Sequence, residues 1–241
     1  MLLKDTLAIR ERSSKDTLAI REKLSKDTLA IREKSINEAT ELLKKTSVIR
    51  EKREEWYKET GMAYNVFEAA GISRKEVQMC NVLTDLLKRK GLHYQGNLYL
   101  KHFRDMVVIP HIKKAGKLEL SEAKVKKQSS TKEGRLIDIE INDGKIFIPI
   151  EVKIKAPEQP KQLSDYADYS REKNKIVGFI PVLFLTPNGD ESKEAKPKDY
   201  VCISFEKDII PWLEVCLRET EKAEPVREII KQYIIAIKSF Y

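Results

Sequence analysis

The distribution of apolar and polar residues divides the chain near residue 60. The unit KDTLAIRE occurs three times at 11-residue spacing, beginning at Lys4, Lys15 and Lys26, and a diverged copy, KKTSVIREK, begins at Lys44. Eleven residues make about three α-helical turns and eighteen make about five, so every copy returns to the same side of one helix. No Gly or Pro precedes Gly61. We therefore expect a single long helix over residues 1–59.

Each repeated unit contributes two apolar seams to this helix. A leucine and the isoleucine two positions later lie roughly 200° apart around the helix axis, with an alanine between them. These pairs are Leu7 with Ile9, Leu18 with Ile20, and Leu29 with Ile31. Two seams suit a helix that contacts a neighbour on each side, so we expect residues 1–59 to form a coiled coil that holds a homo-oligomer. A solvated helix stabilised by charge pairs is the alternative.

From residue 60 onward the pattern is that of one globular domain, which we place at residues 60–241. Helical periodicity predicts helices over Tyr64–Ala70, Lys75–Lys90 and Gly96–Met106. The segment RLIDIEINDGKIFIPIEVKI, from Arg135 to Ile154, then contains two runs rich in β-branched residues on either side of Asp143-Gly144. This pattern predicts a β-hairpin.

The hairpin gathers charged residues on one face. With Asp143 and Gly144 as a two-residue loop, Asn142 pairs with Lys145 and Asp138 lies opposite Pro149, so that Asp138 and Glu151 are diagonal neighbours. One face then carries only Ile and Val and must be covered by core. The other face, which we expect to be open to solvent, carries Asp138, Glu140, Phe147, Glu151 and Lys153.

Two carboxylates and a lysine in this arrangement are suited to metal-assisted hydrolysis. Carboxylate oxygens are ligands that Mg²⁺ prefers, and the bound ion can activate a water molecule as a nucleophile. Lys153 would orient that water or stabilise negative charge in the transition state. On spacing alone, an ordinary solvated sheet face is the alternative explanation.

Composition and charge add a weak indication of the partner. The chain has 46 Lys and Arg against 38 Asp and Glu, a net charge of +8, which favours an acidic partner such as nucleic acid. Seven lysines between residues 113 and 132 form a basic stretch, which we interpret as a solvated loop, with phosphate contact as the alternative. Long apolar runs and a signal-peptide pattern are absent, so we expect a cytoplasmic protein without a membrane segment.

The hairpin also resembles the motif of the PD-(D/E)XK nuclease superfamily. Asp138 followed on the next strand by Glu151-Val152-Lys153 resembles the acid, acid and lysine of that family. The run IEVKIKAPEQPKQLSDY is closest to the branch that reads IENKI-A-x-x-Q-x-x-QL-x-x-Y, with Val152 in place of the asparagine. The GRLIDI segment before Asp138 and the helix that carries Glu76 also match, so that the resemblance covers about residues 61–241.

The resemblance implies a restriction-endonuclease-like α/β core, in which a small mixed sheet is flanked by helices. By this resemblance, Asp138 and Glu151 are ligands of Mg²⁺ or Mn²⁺, and Lys153 is the residue that orients water or stabilises charge. Glu76 would supply a further metal carboxylate. A capping box with Ser73 is the alternative role for Glu76.

Two further residues and the activity follow from the same resemblance. Gln162 and Tyr166, spaced i,i+4 on the helix after Pro160, would support the site or contact phosphate, and a structural role is the alternative. The implied activity is that of a Mg²⁺-dependent endonuclease acting on DNA, in bacterial defence against foreign DNA. A nuclease acting on RNA and a non-catalytic nucleic-acid-binding or scaffold protein are the alternatives.

Overall fold

The computed structural model describes residues 2–132 and 134–241, with the backbone alone described for residues 2–14 and 16. It divides into two units, with the boundary between Ala63 and Tyr64. The first unit is one helix, α1 (Leu2–Thr60). The helix ends before Gly61, which has φ +67° and donates its N–H to the carbonyl of Tyr57 at 2.9 Å. Glycine is the residue that adopts this left-handed conformation with least strain, which explains why the helix stops there.

The apolar seams of α1 are exposed within the chain. Leu18, Ile20, Leu29 and Ile31 are between 56% and 68% exposed. The corresponding side chains of the first repeat, Leu7 and Ile9, lie outside the described residues. The long helix is as predicted, and its association with other copies stays a prediction.

The second unit is built on a five-stranded mixed sheet. The strands are β1 (Lys124–Ser130), β2 (Leu136–Asn142), β3 (Phe147–Val152), β4 (Val182–Thr186) and β5 (Tyr200–Ser204), in that order across the sheet. The pairs β1–β2 and β2–β3 are antiparallel, and β3–β4 and β4–β5 are parallel. This architecture confirms the expected fold class of a small mixed sheet flanked by helices.

Helices cover both faces of the sheet. They are α2 (Val66–Ala69), α3 (Glu76–Leu87), α4 (Leu98–Phe103), α5 (Gln162–Lys173), α6 (Ile210–Glu219) and α7 (Glu224–Lys238), with π-helical turns at Arg104–Val108 and Phe205–Ile209 and a 3-10 turn at Lys113–Lys117. Helices α3, α4, α6 and α7 pack on one face around Trp212 and Tyr233. Helix α5, which connects β3 to β4, packs Leu163 and Tyr166 on the other face. Over the described part of the chain, no helix is long and apolar enough to cross a membrane.

The predicted register of the β2–β3 hairpin is wrong by two residues. Asn142 pairs with Phe147, not Lys145, and the loop therefore contains four residues, 143–146. Side-chain hydrogen bonds explain the wider loop, because the Asn142 amide oxygen accepts the N–H of Gly144 at 2.7 Å and the Asp143 carboxylate accepts that of Ile146 at 2.6 Å. Such Asx turns are favourable alternatives to a two-residue turn. The shift places Asp138 across from Glu151 instead of Pro149.

The expectation that one hairpin face is open to solvent is also wrong. Helix α5 covers that face, so Phe147, Glu140 and Glu151 are buried. The predicted aliphatic face is likewise interrupted, because Ile137 packs with the α5 cluster whereas Ile139 packs in the opposite core. The side-chain alternation of β2 is thus broken at Asp138.

Three expectations about the segments before the hairpin need correction. The basic stretch is not a loop throughout, since Lys124–Ser130 forms the outer strand β1 and pairs with β2. The helix expected over Gly96–Met106 begins at Leu98 and continues through Phe103 into the π-helical turn. The helix predicted over Lys75–Lys90 is shorter at both ends and spans Glu76–Leu87.

Candidate active site

The sheet separates at Asp138, where β2 and β3 stop pairing. The β2–β3 ladder ends at the Ile139–Ile150 pair. Beyond it, the Asp138 carboxylate accepts the N–H of Val152 at 2.9 Å. The Asp138 side chain thus takes the hydrogen bond that a backbone carbonyl of β2 would otherwise accept from β3. This contact fixes Asp138 at the fork, the point where β2 and β3 separate.

Glu151 lies on β3 beside this fork and is almost fully buried. Its side chain is 1% exposed, and its Oε1 atom forms an ion pair with the ammonium of Lys153, which is 14% exposed. Its Oε2 atom is buried and has no hydrogen-bond partner among the described residues. A buried carboxylate oxygen without a partner is costly, so this atom marks a position where a cation or a donor would be stabilised.

Burial governs the ionisation of the two acids. It raises the pKa of Glu151 to about 8, with the charge of Asp138 acting in the same direction and the Lys153 ammonium opposing both. Burial also raises the pKa of Asp138, against the hydrogen bond from Val152 and the charge of Lys153. Burial lowers the pKa of Lys153, but the surrounding carboxylates, Glu151 first, outweigh it and raise that pKa overall. Lys153 is therefore a cation at neutral pH.

The two carboxylates fit a divalent ion of the magnesium type. Mg²⁺ usually retains several waters and takes only one or two protein carboxylates. In the described ranges, no group of three or more His, Cys, Asp or Glu side chains is placed to hold a metal. Asp138 and the unpartnered oxygen of Glu151 are the donor set for such an ion, and an ion there would satisfy that oxygen and offset the repulsion between the two acids.

Glu76 lies close to this pair as the first residue of α3. Its Oε1 atom accepts three backbone N–H groups, those of Ile154 at 2.8 Å, Lys155 at 3.1 Å and Ala156 at 3.0 Å. The helix cap is Lys75, so the capping box with Ser73 is wrong. One carboxylate oxygen of Glu76 thus anchors the segment that follows Lys153 to the start of α3.

Gln162 and Tyr166 form a buried chain of hydrogen bonds below the fork. The amide of Gln162 donates to the Tyr166 hydroxyl at 3.1 Å, and that hydroxyl donates to the carbonyl of Leu136 at 2.5 Å. Burial, followed by the nearby charge of Glu151, raises the pKa of Tyr166. Both residues therefore hold the start of β2, two residues before Asp138.

Arg135 also holds the start of β2, a role that the sequence alone did not indicate. Its guanidinium forms an ion pair with Asp165 at 2.6 Å and donates to the carbonyl of Pro160 at 2.9 Å. These contacts join the residue before β2 to the first turn of α5. The signal for this contact lies in the GRLIDI segment, because an arginine next to a buried strand needs an acidic partner. Asp165, in the QLSDY run, is that partner.

The order of the acid, acid and lysine along β2 and β3 agrees with a known family. The family model described as the PD-(D/E)XK nuclease superfamily matches residues 64–235. The chain belongs to this superfamily. Comparisons with curated proteins and with solved structures give no match. The PD-(D/E)XK assignment identifies residues 64–235 as a nuclease domain, whose class acts on nucleic acids and generally uses divalent metal ions.

Proposed function

We propose that residues 64–241 form a Mg²⁺- or Mn²⁺-dependent endonuclease that hydrolyses phosphodiester bonds of DNA. The observation that carries this proposal is the buried Asp138–Glu151 pair, in which Glu151 Oε2 has no partner among the residues described and Lys153 lies alongside. Both acids belong to the segment that matches the nuclease family.

In the proposed mechanism, Asp138 and Glu151 would hold the ion. The ion would lower the pKa of a bound water and neutralise charge on the phosphate being cut. Lys153 acts as a donor and a positive charge, since its raised pKa keeps it protonated. Its ammonium therefore orients the attacking water or stabilises the developing negative charge, and does not remove a proton.

The remaining site residues are proposed to position Asp138 and Lys153. Glu76 holds the 154–156 segment, which fixes Lys153 from its C-terminal side, and its other oxygen is proposed to face a metal. Gln162 and Tyr166 hold the start of β2, which fixes Asp138 from its N-terminal side. Catalytic geometry must be maintained within about 1 Å, so these contacts are expected to influence turnover more than substrate binding.

The long helix α1 is proposed to join several copies of the nuclease domain. The leucines and isoleucines of its seams whose side chains are described are more than half exposed in the single chain, and a second copy would offer matching seams at the same 11-residue spacing. We assign the assembly to the cytoplasm and to defence against foreign DNA. Sedimentation of the full chain carrying Leu18→Asn and Leu29→Asn tests the association, because an unchanged oligomeric state would contradict it.

The cleavage test uses the purified full chain with plasmid DNA, single-stranded DNA and RNA. Each substrate is incubated with Mg²⁺, with Mn²⁺ and with EDTA. We expect metal-dependent cleavage of DNA that is lost in Asp138→Ala and in Lys153→Ala. The matched control is Glu228→Gln, which removes a half-exposed acid on α7 and should leave the rate unchanged. Cleavage by Asp138→Ala at the rate of the unmodified chain would refute the proposal.

A further inference from the structure

A polar cleft of about 400 Å³ lies between the outer strand β1 and helix α5. Its lining includes Lys126, Gln128, Glu140, Asn142, Tyr169 and Lys173. The cleft is on the same side of the sheet as Gln162 and Tyr166, and follows β2 away from the proposed active site. Glu140 and Asn142 are two and four residues beyond Asp138, so the cleft begins roughly 7 Å from it along the strand.

Positive charge predominates in the cleft. Lys126 has an exposed side chain, and its ammonium lies 3.6 Å from the buried carboxylate of Glu140. Lys173 is also exposed, and its ammonium lies 5.0 Å from the centroid of the Tyr169 ring. Two lysines thus outweigh one carboxylate. The Tyr169 ring is fixed edge-on against Phe147, with the centroids 5.5 Å apart, and offers a flat surface between the charges.

Gln128 connects this cleft to Asp138 across the sheet. The pairs Lys127–Ile139 and Ser129–Ile137 place it opposite Asp138 in the register. Gln128 has φ +50°, a left-handed conformation that is uncommon for a residue with a side chain in a strand. Strain of this kind is concentrated at functional sites. The edge of β1 that faces away from β2 pairs with no strand in the described ranges. Backbone N–H groups on that edge are therefore available to an anionic ligand.

We infer that this cleft binds the sugar–phosphate backbone of the nucleic-acid strand next to the bond that is cut. This inference rests on the proposed function and adds the surface that holds the substrate. Lys126 and Lys173 contact phosphates, and Tyr169 packs against a sugar or a base. Contacts of this type are independent of base sequence and position the strand on the protein.

Binding is measured by fluorescence anisotropy in EDTA, so that no cleavage occurs. The probes are a DNA duplex, a single-stranded DNA and a single-stranded RNA of equal length, each titrated at several salt concentrations. The test variant is Lys126→Ala/Lys173→Ala. The matched control, Lys231→Ala/Lys238→Ala, removes two exposed lysines from α7, which packs on the opposite face of the sheet.

The cleft variant is expected to bind at least one probe about tenfold or more weakly. Its slope of log affinity against log salt should fall by about 1.8 for duplex or about 1.4 for a single strand, with no such change in the control. Lys126→Gln/Lys173→Gln should repeat the result, which excludes a packing effect. Equal affinities for the cleft and control variants would overturn the inference.

The binding and cleavage experiments distinguish failure of the cleft inference from failure of the proposed function. Loss of binding in the cleft variant together with an inactive unmodified chain would support the cleft and refute the nuclease proposal. Cleavage of plasmid by an unmodified chain that binds none of the three probes would overturn the cleft and leave the nuclease proposal standing.

Discussion

Replacing Glu151 with glutamine is predicted to stabilise the metal-free protein, although it removes a residue proposed to be essential for cleavage. The carboxyl group is 1% exposed and its pKa is raised from the ordinary 4.5 to about 8, by burial first and then by Asp138. A carboxyl group with a raised pKa stabilises the folded state below its unfolded pKa, and this stability is lost as pH rises through the folded pKa. Between pH 5 and pH 8, the wild-type chain must therefore lose stability that the uncharged Glu151→Gln variant retains.

The interval between the two pKa values sets the size of the effect. At about 1.36 kcal/mol per pH unit, the full difference for Glu151 is at most roughly 5 kcal/mol, and the part that develops between pH 5 and pH 8 is roughly 3 kcal/mol. The glutamine oxygen can still accept the bond from Lys153. The pH-dependent part reports the net shift of the Glu151 pKa, in which burial and the charge of Asp138 outweigh the opposing Lys153 ammonium.

Urea unfolding in EDTA measures the effect at pH 5, 6, 7 and 8. The free energy of unfolding of Glu151→Gln minus that of the wild type should increase steadily over this range. Asp199→Asn is the matched control, because Asp199 is also buried but forms an ion pair with Arg171 at 2.7 Å, and its loss should destabilise the protein. A difference between Glu151→Gln and wild type that is constant with pH would refute the reasoning.

Four further substitutions test how the fold and the site are supported. Asn174→Ala should cost about 3 kcal/mol in urea unfolding, because the buried amide holds both the N–H and the carbonyl of Phe147 at 2.8 Å and these would lose their partner. Gly91→Ala should cost about 2 kcal/mol, since the new Cβ would lie 2.3 Å from the carbonyl oxygen of Asp85, whereas Gly144→Ala in open space should show only backbone strain. Tyr166→Phe should cost about 1–3 kcal/mol and lower kcat more than it raises KM, and an unchanged kcat would contradict its role in positioning Asp138.

The centre of the fold could be predicted because its sequence signals are local. The alternating Ile residues around Asp138 and Glu151 indicate two strands, and the spacing of Gln162 and Tyr166 indicates the helix that follows them. Strand alternation predicts that Asp138, Glu151 and Lys153 lie together on the hairpin, whereas the roles of Glu76, Gln162 and Tyr166 follow only from the family resemblance.

The errors arose where tertiary contacts or side-chain hydrogen bonds decide the structure. The four-residue loop depends on bonds from Asn142 and Asp143 to backbone N–H groups, which a count of alternating residues does not register. Strand β1 was missed because its exposed positions carry lysines, which are typical of an outer strand but also of a loop. Burial of Glu151 beneath α5 follows from how that helix returns between β3 and β4, and no local pattern contains that information.

Binding of Mn²⁺, followed by electron paramagnetic resonance at pH 8 without nucleic acid, tests whether Asp138 and Glu151 form a metal site. We predict that the full chain binds Mn²⁺ and that both Asp138→Asn and Glu151→Gln weaken this binding by tenfold or more, while Glu228→Gln does not. Equal Mn²⁺ affinity in the wild type and in both site variants would contradict the assignment of Asp138 and Glu151 as the metal ligands.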